Sequence, residues 1–283
     1  MEPALPEALH IARFDVPPVV PFWRTVVKRR SGAVIPHVEA RASALPGDPG
    51  AYWAVCGLPP EEVLPVCFPD MLCRGLQLAV LTSPRFPLPL AGIVHARQRI
   101  EQVRAIRRGE ALAGRVWVEG HRTVRNGGEF DLHTEVSIPG GTDEVVWHGV
   151  TTIFSRSLPG DGVKRERPAA PVFEVERTAD WTLSSDLGRR YARVSGDVNP
   201  IHQYAWTARL FGFERAIIHG WWTLARCAAE LQLPPGPVSM EAAFVSPLFL
   251  PSTARFRTGR GAEGRLFEVR AGEGLLVAGR VAS

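Results

Sequence analysis

The sequence predicts an α+β chain made of two similar halves, each a curled antiparallel sheet wrapped around one central helix. Three observations predict it. The chain is rich in proline (25) and glycine (27), a punctuation density that suits many short strands joined by turns and disfavours a helical bundle. A segment at 156–171, RSLPGDGVKRERPAAP, interrupts the apolar periodicity with Pro, Gly and charge and reads as a linker. On either side of it the same order of signals recurs, one apolar helical stretch and then several strand-like runs, as expected of an internal duplication. A length of 283 residues, against roughly 150 per domain, supports two units. We divide the chain into residues 1–157, a linker at 158–171, and residues 172–283.

In the first half, residues 70–81 (DMLCRGLQLAVL) form the helical stretch, closed by Pro84, Pro87 and Pro89. Strand candidates follow at 91–100, 112–119, 129–138 and 144–154, and the last two alternate most clearly. Phe68, Leu72 and Leu76 are expected to pack the helix on its own sheet. In the second half, residues 217–231 (IIHGWWTLARCAAEL) are apolar on nearly every face, with Arg226 and Glu230 the only charges. A helix apolar all round is buried. Pro234, Pro235, Gly236 and Pro237 stop it, and strand candidates lie at 238–245, 253–258, 265–271 and 275–281.

Composition narrows the function classes. Hydrophobic residues at 45% and charged residues at 22% are ordinary globular values, so the chain can bury a core. The 33 basic and 29 acidic residues leave a net charge of only +4. The arginines are scattered apart from short clusters at 104–108 and 164–167, which does not make the concentrated basic face of a nucleic-acid binder. Cys56, Cys67, Cys73 and Cys227 form no CxxC pair and no zinc-finger spacing, so reduced, buried thiols are expected and no metal site. The opening residues 1–7 carry no basic-then-apolar leader, and no run of 18 apolar residues occurs. A cytoplasmic protein without a membrane span is the expectation.

One segment stands out chemically: Tyr191-Ala-Arg-Val-Ser195-Gly196-Asp197-Val198-Asn199-Pro200-Ile201-His202, followed by Ala208, Gly212-Phe213 and Ile217-Ile218-His219-Gly220. Asp197 and His202 stand five apart across Asn199-Pro200, where proline keeps the preceding residue out of the helical region and so allows a turn that brings carboxylate and imidazole together. Imidazole titrates near neutral pH and can both take and give a proton, while a carboxylate can orient water or the ring. Gly220 falls in the first turn of the buried helix, where backbone N–H groups are free, the dipole is positive and a missing side chain permits close approach. Asn199 suits loop-holding hydrogen bonds.

This segment resembles the hydratase motif of the MaoC-like family, which includes R-specific enoyl-CoA hydratases and 3-hydroxyacyl thioester dehydratases. The resemblance implies a tandem (double) hot-dog fold. It also implies a hydro-lyase that interconverts 2-enoyl and (R)-3-hydroxyacyl thioesters carried on coenzyme A or acyl carrier protein, with no separate cofactor. By resemblance, Asp197 and His202 grip the catalytic water, and the Gly220 N–H receives the thioester oxygen, with Ser195, Asn199 and His219 in support. Trp221 and Trp222 are candidates for the acyl pocket wall, with core packing equally open to them. Arg193, Arg209 and Arg215 are candidate phosphate contacts. The first half has no counterpart of the D-x-N-P-x-H loop and no histidine in residues 46–69, so it is expected to enclose substrate without catalysing. His95, His121, His133 and His148 carry no motif and read as structural or exposed. The halves would pair as a monomeric pseudo-dimer, and a homodimer is also open. The rival readings are a hot-dog acyl-CoA thioesterase and a non-catalytic acyl-binding or partner subunit.

Overall fold

The computed structural model describes residues 12–13, 35–90, 93–140, 144–163, 168–262 and 264–283. The leader reading at 1–7, the basic cluster at 164–167 and the centre of the linker lie outside them. After the short strand β1 (Ala12–Arg13), the first half runs through β2 (Glu39–Ala42), α1 (Gly50–Cys56), α2 (Phe68–Leu72) and α3 (Arg74–Thr82). Four long strands follow: β3 (Ile93–Gln102), β4 (Ala113–Val124), β5 (Gly127–Ile138) and β6 (Glu144–Ser155). The second half has β7 (Arg177–Leu183), α4 (Leu187–Ser195), a 3-10 turn (Pro200–His202), α5 (Ala205–Arg209), α6 (Gly220–Leu231), β8 (Val238–Phe244), β9 (Ser252–Gly261), β10 (Gly264–Ala271) and β11 (Gly274–Ala282).

Among the described residues all eleven strands form one sheet in the order β1-β2-β4-β5-β6-β3-β8-β11-β10-β9-β7. Each half contributes one contiguous stretch, and the two join edge to edge where β3 pairs antiparallel with β8 from Arg97↔Ala243 to Gln102↔Val238. The tandem hot dog is thus a single curled surface with two helices on its inner side. The seam covers one exposed edge of each half.

Sequence periodicity placed the strands well because half-buried strands alternate. In β5 the burial alternates for most of its length, with Phe130, Leu132, Thr134 and Val136 inward. The helices differ in detail from the expectation. The first-half helix begins at Phe68, with Pro69 in its first turn, and is interrupted at Cys73, whose φ −86 and ψ 4 leave the helical region. Phe68 and Leu76 are buried, and Leu72 packs at the edge of the core. The second-half helix starts at Gly220, not Ile217, because the backbones of Ile217 and Ile218 are engaged elsewhere. Ile217 forms a β-bridge with Phe249, and the Ile218 N–H donates to the Leu248 carbonyl at 2.9 Å.

The halves are also joined through their cores. Trp222 on α6 donates its indole N–H to the Val55 carbonyl of α1 at 2.8 Å, and the rings of Tyr52 and Tyr191 lie 6.3 Å apart across the junction. All four cysteines are buried and free, and burial pushes the Cys56 thiol up to about 12. No helix among the described residues is long and apolar enough to cross a membrane.

Candidate active site

The loop after α4 is shaped by its own sequence. Gly196 caps the helix in the left-handed region at φ +71, which turns the chain sharply into Asp197. The Asn199 N–H donates to Asp197 Oδ1 at 3.2 Å, and Asn199 Oδ1 accepts the Ile201 N–H at 3.3 Å. Asn199 is extended (φ −52, ψ 128), as its proline neighbour requires, and Pro200 opens the 3-10 turn. Ser195 Oγ accepts the Asp197 N–H at 3.3 Å. Two contacts fasten this loop to the chain entering α6: the Ile217 N–H donates to the Ile201 carbonyl at 3.0 Å, and His202 Nδ1 lies 2.8 Å from the Ile217 carbonyl.

The last contact assigns the tautomer. A carbonyl only accepts, so His202 carries its proton on Nδ1 and leaves Nε2 as a bare lone pair. By the same reasoning His219 donates from Nε2 to the Asp197 carbonyl at 3.0 Å, while its buried Nδ1 has no partner. The His202 and His219 rings stack with centroids 3.7 Å apart, and Tyr191 backs His219 at 4.9 Å. Burial lowers the affinity of His202 for a proton, with Asp197 partly offsetting it, and lowers His219 to about 3, so both imidazoles are neutral at neutral pH. Burial pushes the Asp197 carboxyl upward. On acidification the protonated rings of His219 and His202, together with the Arg74 guanidinium and the Asn199 N–H, outweigh it and hold the group at about 2.

Asp197, His202 and His219 bring one donor atom each within 4.8 Å of the others, the only such trio among the described residues. Stacked rings send their lone pairs side by side and not toward one point. That suits a bound water better than the converging donors of a tetrahedral ion.

The site opens on a cavity of about 540 Å³ between the halves. Leu81, Leu132 and Ile153 of the first half and Trp221, Phe244 and Leu248 of the second give it apolar walls, with Asp197, His202 and Gly220 at its polar end. Gly220 is the first residue of α6, so its N–H has no intrahelical acceptor. Both halves close in on it: a Cβ added at Gly220 would lie 2.7 Å from Nδ1 of the first half's His95 and 3.3 Å from the ring of the second half's Phe244.

Of the residues expected at the site, Asp197, Asn199, His202, His219, Gly220 and Trp221 line the cavity. Ser195 lies behind the loop as a buried acceptor. Trp222 does not line it; its ring points into the junction between halves and packs edge-on against Trp181 at 6.0 Å. Arg209 and Arg215 are engaged with the carbonyls of Glu214 and Pro251. The reading of His95 as structural or exposed is corrected, because its ring forms part of the cavity wall beside Gly220. Its Nε2 meets Gln98 Oε1 at 3.1 Å, and burial lowers its pKa to about 4. Arg74 and Gln77 of α3 also line the cavity and were not singled out from the sequence. A signal for them existed: two polar residues at i and i+3 on the face that Leu78 and Leu81 continue at i+4 and i+7.

A double hot dog in which one half presents a carboxylate and an imidazole above the N-terminus of its own buried helix defines a class of proteins that handle acyl thioesters. Residues 168–278 match the family model described as MaoC like domain. A 3-hydroxyacyl-thioester dehydratase X of Mycobacterium tuberculosis is 34% identical over 236 residues, covering 80% of this chain and 82% of that protein. The peroxisomal enoyl-CoA hydratase 2 of Arabidopsis thaliana is 26% identical over 179 residues, covering 58% of this chain and 56% of that protein. A crystal structure of HtdX from Mycobacterium tuberculosis superposes with a TM-score of 0.75 at 32% identity, over 86% of this chain and 99% of that one. The chain belongs to the MaoC-like family.

Proposed function

We propose that this chain is a hydro-lyase that adds water to a 2-enoyl thioester, or removes it from the (R)-3-hydroxyacyl form, on a coenzyme A or phosphopantetheine carrier. The observation that carries the reading is the pairing of an ionised Asp197 with a neutral His202 whose bare Nε2 faces the same cavity as the Gly220 N–H. Relatives named as a dehydratase and a hydratase support it.

In the hydration direction Asp197 orients a water and His202 Nε2 takes one of its protons while the oxygen bonds to C3. The C2–C3 π electrons move toward the thioester, whose oxygen becomes enolate-like and receives the Gly220 N–H and the positive end of the α6 dipole. His202 then returns the proton to C2. One water is consumed, and the imidazole ends neutral as it began. The apolar cavity accommodates the acyl chain, and Trp221 in its wall bears on the length accepted.

The test is loss of conjugated enoyl absorbance on a crotonyl thioester. Asp197→Asn or His202→Ala should slow turnover by roughly 10²–10⁴-fold with the fold intact. Wild-type release of free thiol without loss of the conjugated product would indicate a thioesterase and overturn the reading.

A further inference from the structure

The first half supplies no acid–base loop, yet α3 carries a charge into the cavity. Arg74 lies at the start of that helix, and its Cγ comes 3.9 Å from where a Cβ on Gly196, the residue before Asp197, would sit. Arg74 Nη2 donates to Asp70 Oδ2 at 3.2 Å. Gln77 Nε2 holds the other oxygen of Asp70 at 2.6 Å and reaches Thr134 Oγ1 at 3.1 Å. Arg74 Nε and Gln77 Oε1 are buried without hydrogen-bond partners. A buried ion pair of this kind contributes little to stability over an apolar pair of the same volume, because desolvating both charges offsets their attraction. Two buried charges on an otherwise largely apolar helical stretch call for a functional account.

The groups facing Arg74 come from several elements. Asp70 and Cys73 precede it in its own half, Tyr52 faces it from α1 and His95 from β3. Tyr191, Asp197, His202 and His219 face it from the second half. We propose that Arg74 is a positioning residue of the second half's site: held by Asp70 and Gln77, its guanidinium keeps Asp197 ionised and His202 neutral across the junction. A permanent cation favours the carboxylate and disfavours the imidazolium, and both effects run in the direction that hydration needs. The inference rests on the acid–base reading of Asp197 and His202.

The experiment compares Arg74→Met, Arg74→Lys and the double variant Asp70→Asn/Arg74→Met, which removes both charges and leaves no unpaired carboxylate. The kcat/KM profile against pH is measured on a crotonyl thioester, and His202 is titrated by NMR. Arg74→Met and the double variant should move the acid limb and the His202 titration up by about one pH unit. At neutral pH their kcat should fall by about fourfold or less with KM unchanged, while the plateau at higher pH stays at the wild-type level, and Arg74→Lys should restore the wild-type limb. A folded variant, single or double, with unmoved limb and unmoved His202 titration overturns the proposal. So does a raised KM with the wild-type pH profile, which would make Arg74 a substrate contact. The titration needs no turnover. If the wild type proves inert, the hydratase reading fails while the electrostatic claim is still decided by the NMR shift.

Discussion

Two aspartates approach the junction from opposite halves, Asp70 buried behind Arg74 and Gln77 and Asp197 half-buried in the cavity wall, and their environments pull them apart. Asp70, in the first half, is raised to about 6: burial dominates, Arg74 and Gln77 only partly oppose it, and the charge of Asp197 adds to the rise. Asp197, in the second, is held at about 2 despite burial, because two imidazoles, Arg74 and a backbone N–H gather around it. The same residue type becomes a firmly ionised carboxylate in one half and, in the other, a carboxylate with a raised pKa engaged by Arg74 and Gln77. The two halves offer similar frames, and under the proposed mechanism the loop between α4 and α6 decides which of them carries chemistry. The first half kept a different task, closing the cavity and setting the field inside it.

The comparison breaks most sharply by mutation of the two carboxylates. Asp197→Asn should cost roughly 10²–10⁴-fold in turnover of an enoyl thioester, whereas Asp70→Asn should cost about tenfold or less. Equal losses would end the division of labour between halves.

Gly220→Ala should lower kcat by about 10²-fold or more, since the new methyl would meet His95 and push substrate away from the helix N-terminus. Recovery of part of that loss in a His95→Ala background would show that the first half sets the clearance, and steady-state kinetics on the single and double variants measures it.

The two neighbouring tryptophans separate packing from substrate contact. Trp222→Ala should destabilise by about 3–5 kcal/mol in chemical denaturation, because its ring fills the junction and its N–H is bound to Val55. Trp221→Ala should instead shift preference toward longer acyl chains, read by a panel of enoyl thioesters of graded length.

The smallest effect is in the dependence of stability on pH. The Asp70 carboxyl is raised in the folded state from 3.8 to about 6, so between those values the native protein binds more protons than the unfolded chain. Its stabilising contribution is complete below about pH 3.8 and is lost as pH rises through 6. Asp70→Asn removes that loss. Relative to wild type, the variant should gain on the order of 3 kcal/mol between pH 4 and 7 by denaturant titration at the two pH values. His202 and His219 act oppositely, since lowered imidazoles stay neutral while the unfolded chain protonates, so stability falls with pH below about 6.5.

Much of the fold was legible because its periods are local. Strand alternation in β5 and β6, the all-apolar helix near 220–231 and the Pro-rich stops each depend only on neighbours in the chain. The Asp197–His202 loop was legible through its resemblance to the hydratase motif, whose residues lie in one short turn held by Pro200 and the Asx contacts. The start of α6 was misplaced by three residues, because Ile217 and Ile218 are held by strand-like contacts to Phe249 and Leu248, which are distant in sequence.

By itself, then, the sequence determined the two-half pattern, which follows from hydrophobic period, and its resemblance to the hydratase motif pointed to the proposed acid–base pair and to the half that holds it. Tertiary structure alone decided that β3 and β8 merge the halves into one sheet, that Trp221 reaches the cavity while Trp222 turns to the junction, and that Arg74 and His95 of the first half stand beside Asp197 and Gly220 of the second. Such meetings join residues more than a hundred positions apart. Their energy comes from shared burial and from charge acting through a low-dielectric interior, and neither leaves a mark on the local pattern of the chain.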